Sequence, residues 1–152
     1  MEQNSDQWSV IIMDFPDPHA EALAKLYSEY FYTMVSKRLA PGGRAVTQST
    51  SPYFARDAFW CVVETTKSVG FSVNPYHVWV PSFGEWGFVM MGDVPVEPRG
   101  ASILVQTEWL DDLTFRGLFH FPEDMKAVEV EPNTLLDPVI IGYYNDAWSK
   151  WF

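Results

Sequence analysis

Apolar residues crowd Trp8, Val10, Ile11, Ile12 and Met13, and the run stops at Asp14-Phe15-Pro16-Asp17-Pro18. A short apolar run ended by turn residues reads as a buried strand. Further on the period changes. Ser28 is placed to cap a helix in which Phe31, Val35 and Leu39 recur every fourth residue, and Pro41-Gly42-Gly43 is placed to stop it. Residues 44–48 then read as a short second strand and 49–52 as a loop. Residues 53–68 read as a second helix that ends at Gly70. Two more strand patterns follow, 71–80 and 86–91. Pro81-Ser82-Phe83-Gly84-Glu85 joins them, a connection short enough for an antiparallel pair. The order is β-α-β-α-β-β, which predicts the second half of a nucleotide-binding α/β fold with an antiparallel edge.

Beyond this the periodicity weakens. Pro95, Pro98 and Gly100 mark residues 92–101 as a linker or crossing segment. Residues 109–119 show weak helical spacing until Phe121-Pro122-Glu123-Asp124 breaks it. Pro138 is placed to open a terminal helix with Val139, Tyr143, Ala147 and Trp151 on one face. The expected division is an α/β unit over 1–91, a linker over 92–101 and a helical tail over 102–152 that packs on the unit.

Composition narrows the function. With 47% hydrophobic and 16% aromatic residues, the 152-residue chain has material for a real core. A net charge of -10 argues against a nucleic-acid partner, which needs clustered Lys and Arg, and suits small cationic ligands. The single cysteine, Cys61, excludes an internal disulfide and reads as a buried hydrophobe with no legible activating partner. No apolar stretch approaches the ~18 residues of a membrane span, and the polar, acidic opening is unlike a signal peptide. The expectation is a soluble, cytoplasmic chain.

The chemistry gathers at the first strand's end. In open α/β sheets ligands bind outside the carboxyl ends of the strands, so Asp14 and Asp17 are aimed at one. Taken alone, Asp17-Pro18 favours an ordinary turn over a ligand site.

Several blocks bear on that choice: Asp14-Phe15-Pro16-Asp17-Pro18, Lys25-Leu26-Tyr27-Ser28, Gln48-Ser49-Thr50-Ser51-Pro52, Phe59-Trp60-Cys61, Pro75-Tyr76-His77 and residues 80–88. Together with Phe121-Pro122 before Asp124, and Asn133-Thr134-Leu135, they resemble the spermidine synthase family, and more narrowly its bacterial membrane-associated polyamine aminopropyltransferases. The resemblance implies a Rossmann-like fold and transfer of an aminopropyl group from decarboxylated S-adenosylmethionine to putrescine or a similar amine. Methylthioadenosine leaves, and no resident cofactor or metal is needed. It also implies roles. Asp14 is the base beside the attacking nitrogen and touches the donor. Asp17 anchors the amine, and Pro18 and Leu26 stand on the donor side. Gln48 resembles the family's pocket glutamine, although a strand-end amide that satisfies loop backbone is an equal reading. Phe83 replaces a tyrosine, so it packs against the amine without a hydroxyl. Glu85 either supplies a compensating carboxylate or is a solvated turn residue. His77 reads as structural, and Trp60, Trp79 and Trp86 as core.

The chain departs from the family pattern in two ways. His19-Ala20-Glu21-Ala22 replaces a Gly-Pro-Ala segment. The family's Gly-rich turn, its ribose-binding acid, and an upstream tyrosine and glutamine have no counterpart. The chain therefore reads as a fragment with a half-built donor site, and its first strand should form an open apolar edge. A homo-oligomer, or pairing with an N-terminal half, is expected. The alternatives are a non-catalytic interaction module that pairs with such a half, or a methyltransferase on the related fold.

Overall fold

A computed structural model describes residues 6–151. Strand β1 (Trp8–Met13) is followed by a single helical turn, α1 (Glu21–Ala24), which runs on as a 3-10 turn over Lys25–Tyr27, and by helix α2 (Glu29–Arg38). Strand β2 (Leu39–Gln48), helix α3 (Arg56–Ser68) and the hairpin strands β3 (Ser72–Val80) and β4 (Gly84–Gly92) complete the α/β part. The tail carries α4 (Asp112–Gly117) and α5 (Ile140–Trp148). The sheet order is β1-β2-β4-β3, with β1 parallel to β2 and the other pairs antiparallel. The expected order and the antiparallel edge are both present. Among the described residues no helix is long and apolar enough to cross a membrane.

Local chemistry sets several boundaries. Ser28 caps α2 by accepting the Phe31 N–H at 3.3 Å. Asp111 caps α4 by accepting the Thr114 N–H at 2.7 Å. The Ser51 hydroxyl accepts from the Tyr53 and Phe54 N–H groups, so the chain turns there before α3 starts at Arg56.

One expectation needs correction. The helix ends at Arg38, and Pro41-Gly42-Gly43 lies inside β2 instead of stopping the helix. Leu39 is already extended and pairs with Trp8, and the register then shifts so that Val10 meets Arg44. Glycine makes this bulge possible. Gly42 has φ +73, and a Cβ on Gly43 would sit 2.8 Å from the Ala40 carbonyl oxygen and 3.0 Å from that of Ser9.

The two faces of the sheet differ. Met13, Ala45, Val89 and Met91 are buried beneath α2 and α3, packed with Phe31, Val35, Phe59, Val62 and Val63. The opposite face carries Ile12 and Val46, which pair across β1 and β2, and Phe88 and Tyr76, which pair across β4 and β3. No helix of the described residues buries it. On β1, which stands at one edge of the sheet, Val10 is 63% and Ile12 74% exposed. The predicted open edge is therefore present.

The tail closes the other side of the helical layer. Helix α5 packs on α3 and places Ile140 and Ala147 in the common core. Asn133, fully buried, ties the junction. Its Nδ2 donates to the Ala24 carbonyl at 2.9 Å and its N–H to Thr65 Oγ1 at 2.8 Å, and its carbonyl accepts from the Glu29 N–H at 3.0 Å.

Candidate active site

A groove of about 500 Å³ opens on the bare sheet face, lined by Ile12, Met13, Asp14, Val46, Gln48, Tyr76, Val80, Phe83, Trp86 and Phe88. Its walls are aliphatic and aromatic. Asp14 supplies the one carboxylate of the lining, and Gln48 the one side-chain amide. Tyr76 and Phe88 stack at 5.2 Å, and Phe83 leans on Trp86 at the same distance.

The strand ends position the polar groups. Asp14 follows the last residue of β1, and Gln48 is the last residue of β2, the parallel neighbour. Asp14 is exposed, and among the described residues no hydrogen bond engages its carboxylate. Asp17 is the opposite case. Its Oδ1 accepts from Gln48 Nε2 at 2.8 Å, while Oδ2 accepts from Thr50 Oγ1 at 3.2 Å and from the Tyr144 hydroxyl at 3.0 Å. One acid is open to a ligand and the other is clamped by neutral donors.

The clamp has its own support. Gln48 Oε1 accepts from the Thr50 N–H at 3.2 Å and from the Tyr27 hydroxyl at 3.1 Å, which leaves Nε2 to face Asp17. The Tyr27 hydroxyl also lies 3.1 Å from the Pro16 carbonyl oxygen, so it holds the loop beside Asp17. Burial, and then the neighbouring Tyr32, Asp17, Asp14 and Tyr144, push the Tyr27 phenol far above its ordinary range. It remains a donor. Burial and then Asp17 do the same to Tyr144.

Thr50 adopts φ +58, a left-handed conformation that costs a β-branched residue on the order of 1–3 kcal/mol. The turn aims its hydroxyl at Asp17, and its carbonyl accepts the Gly87 N–H at 2.6 Å. Gly87 is needed there. A Cβ would lie 2.4 Å from the Phe59 ring and 2.8 Å from the Thr50 carbonyl oxygen.

Of the residues expected at the site, Asp14, Gln48 and Phe83 line the groove, and Asp17 joins them through Gln48. Pro18 is buried within the loop and Leu26 packs on the core, so neither lines it. Glu85 is turned away. Its carboxylate lies 2.7 Å from His77 Nδ1, and His77 Nε2 reaches the His120 carbonyl oxygen, also at 2.7 Å. The reason is alternation: Trp86 and Phe88 face the groove, so Glu85 faces the other side. His77 is a bridge from β4 to the tail. Tyr27, Thr50 and Tyr144 were not anticipated as site residues. Tyr27 and Thr50 sit in motif blocks, whereas Tyr144 carries no local signal. Cys61 is buried, donates to the Glu131 carbonyl, and has its thiol pushed up to about 12 by burial, so it is no nucleophile.

Residues 1–94 match the model of the spermine/spermidine synthase domain. The chain belongs to this family. Polyamine aminopropyltransferase 2 of Ralstonia nicotianae is 41% identical over 145 residues, which is 95% of this chain and 28% of that protein. The polyamine aminopropyltransferase of Oceanobacillus iheyensis is 39% identical over 155 residues, 99% of this chain and 30% of its own length. The chain thus spans about three tenths of the curated relatives that it matches. Spermidine synthase from Thermotoga maritima shares the fold at TM-score 0.63 and 18% identity, over 79% of this chain and 43% of that one. A spermidine synthase solved with the transition-state analogue AdoDATO aligns at TM-score 0.65 and 19% identity, over 79% and 44%. In fold, the four strands and their helices are those of the spermidine synthase α/β sheet.

Proposed function

We propose that this chain carries the amine-activating part of a polyamine aminopropyltransferase, which transfers an aminopropyl group from decarboxylated S-adenosylmethionine to putrescine or a similar amine. The observation that carries the reading is the contrast between the open Asp14 and the clamped Asp17 at the mouth of an aromatic groove. A primary amine with a pKa of about 10 arrives as an ammonium ion and attacks only once neutral. Asp14 is free to bind that ion and take its proton. Asp17, fixed by its donors, is suited to be a stationary negative charge that orients the amine.

The nitrogen lone pair then forms a bond to the carbon beside the sulfonium. The carbon–sulfur bond breaks with its electrons going to sulfur, the thioether leaves neutral, and Asp14 keeps the proton. No acid is required for the leaving group. The apolar walls contribute by excluding water and placing the amine, and the faces of Tyr76, Trp86 and Phe88 offer cation–π attraction. Pro18, as a buried member of the acid loop, and Leu26, packed on the core, are assigned to the donor side.

The test is release of methylthioadenosine from decarboxylated S-adenosylmethionine and putrescine. It is run with the chain alone and with a polypeptide that supplies the remainder of a curated relative. Release is expected at least in the second mixture, and release in neither overturns the reading. Asp14→Asn is expected to slow turnover by about 10²–10⁴-fold. Full turnover in that variant removes Asp14 as the base.

A further inference from the structure

Asp17 is held from three directions, and one of them is the far end of the chain. The Tyr144 hydroxyl crosses 127 residues of sequence to donate to Asp17 Oδ2 at 3.0 Å. We propose that Tyr144 is a positioning residue for Asp17, so that helix α5 is a working part of the amine site and not only a cover for the core.

Geometry makes the case. Oδ1 has the amide of Gln48, whose orientation is fixed by two further bonds. Oδ2 has Thr50 and Tyr144, and the Tyr144 contact is the shorter, 3.0 against 3.2 Å. Without the phenol, Oδ2 keeps a single hydroxyl, and the carboxylate can swing about its bond to Gln48. A donor to a charged acceptor is stronger than one between neutral groups, so the loss is felt. Burial keeps the phenol protonated, which makes it a permanent donor.

Tyr144 is itself located by packing. Its ring lies 5.9 Å from Trp148, which stacks on Phe54 at 5.6 Å and 18°. The start of α5 is set by Asn133, whose Oδ1 accepts the Ile140 N–H while its other groups bind α1, α2 and α3. The Asn133-Thr134-Leu135 block thus has a physical role: it fixes the axis along which Tyr144 reaches Asp17.

What Asp17 binds rests on the proposed function, but the hydrogen bond does not, and the experiment separates them. Tyr144→Phe keeps the ring. Tyr143→Phe is the control, since the Tyr143 hydroxyl accepts from the Glu131 N–H away from the loop. In the ligand-free chain, Tyr144→Phe is expected to shift the amide resonances of Asp17, His19 and Thr50, and Tyr143→Phe to leave them in place. Putrescine, used as the probe, is expected to bind Tyr144→Phe about tenfold more weakly, the loss of roughly one charge-assisted hydrogen bond. Unmoved loop resonances overturn the inference, as does wild-type putrescine affinity with moved resonances. If the wild-type chain takes up no putrescine, the amine reading fails while the loop resonances still decide the role of Tyr144. Should Tyr144→Phe not fold, Asp17→Asn gives the reciprocal reading. The ring signals of Tyr144, and not those of Tyr143, are then expected to shift, and fixed Tyr144 signals overturn the inference.

Discussion

Substituting Gly87 by alanine adds one methyl group at the point where the helix layer, β4 and the Gln48–Thr50 turn meet. That methyl would stand 2.4 Å from Phe59 Cδ2 and Cε2 and 2.8 Å from the Thr50 carbonyl oxygen. Relaxed carbon–carbon contacts lie near 3.5–4.0 Å, so the overlap exceeds about 1 Å. Phe59 cannot retreat. It is fully buried between Trp60, at 5.2 Å, and Phe121, at 5.7 Å between ring centres. The strain must appear as a shift of β4 away from the turn, at an overpacking cost of about 1–3 kcal/mol. The same shift stretches the bonds Gly87 N–H to Thr50 O and Ser49 N–H to Gly87 O, each worth roughly 1 kcal/mol. A total of about 3–5 kcal/mol is expected from these figures. With a urea slope of about 2 kcal/mol per molar, the unfolding midpoint read by tryptophan fluorescence should fall by roughly 1.5–2.5 M. Because Thr50 also donates to Asp17, putrescine affinity should fall with it. Adding Phe59→Leu makes room and should recover part of the loss, a positive coupling between neighbours. A Gly87→Ala variant with the wild-type midpoint would refute the reasoning.

Three further outcomes are expected. Asn133→Ala removes the side-chain bonds to Ala24 and Ile140 from a fully buried site and should cost about 2–4 kcal/mol, measured by the same urea titration. Cys61 keeps its proton in the folded chain up to about 12, against a reference of 9.0 for an open thiol. Between those values the unfolded chain has released a proton that the folded one retains, so stability falls with rising pH, by about 1.4 kcal/mol per unit. Thermal melts from pH 8 to 10 should show that decline in the wild type and a flatter one in Cys61→Ala. The exposed Val10 and Ile12 on edge strand β1 should promote self-association, and Ile12→Lys should reduce the mass seen by light scattering. A wild-type chain that scatters as a uniform monomer and unfolds cooperatively would count against that.

Legibility from sequence followed the range of the interaction. β1 was readable because its apolar run and its end lie within a few residues. The Ser28 cap and the β3–β4 hairpin are equally local. Leu39 misled because four-residue spacing from Val35 fits a helix, whereas pairing with Trp8 and the bulge at Gly42-Gly43 claim it for β2. That contest is decided by tertiary contacts which no window of sequence contains. In the site, Asp14 and Gln48 converge because both end parallel neighbouring strands, and this follows from the order of elements. The outward turn of Glu85 was available from the alternation with Trp86 and Phe88. Thr50 and Tyr144 were not readable as site residues. One depends on a left-handed turn secured by Gly87, and the other on a helix docked more than a hundred residues away.

The bond between Tyr144 and Asp17 also orders events in time. During synthesis the acid loop emerges well before α5, so the second carboxylate stays slack until that helix docks through Asn133. Closing so long a loop is entropically late in folding as well. A nascent or partly folded chain therefore displays Asp14 without a fixed Asp17, and the pair of acids is complete only when the tail is in place.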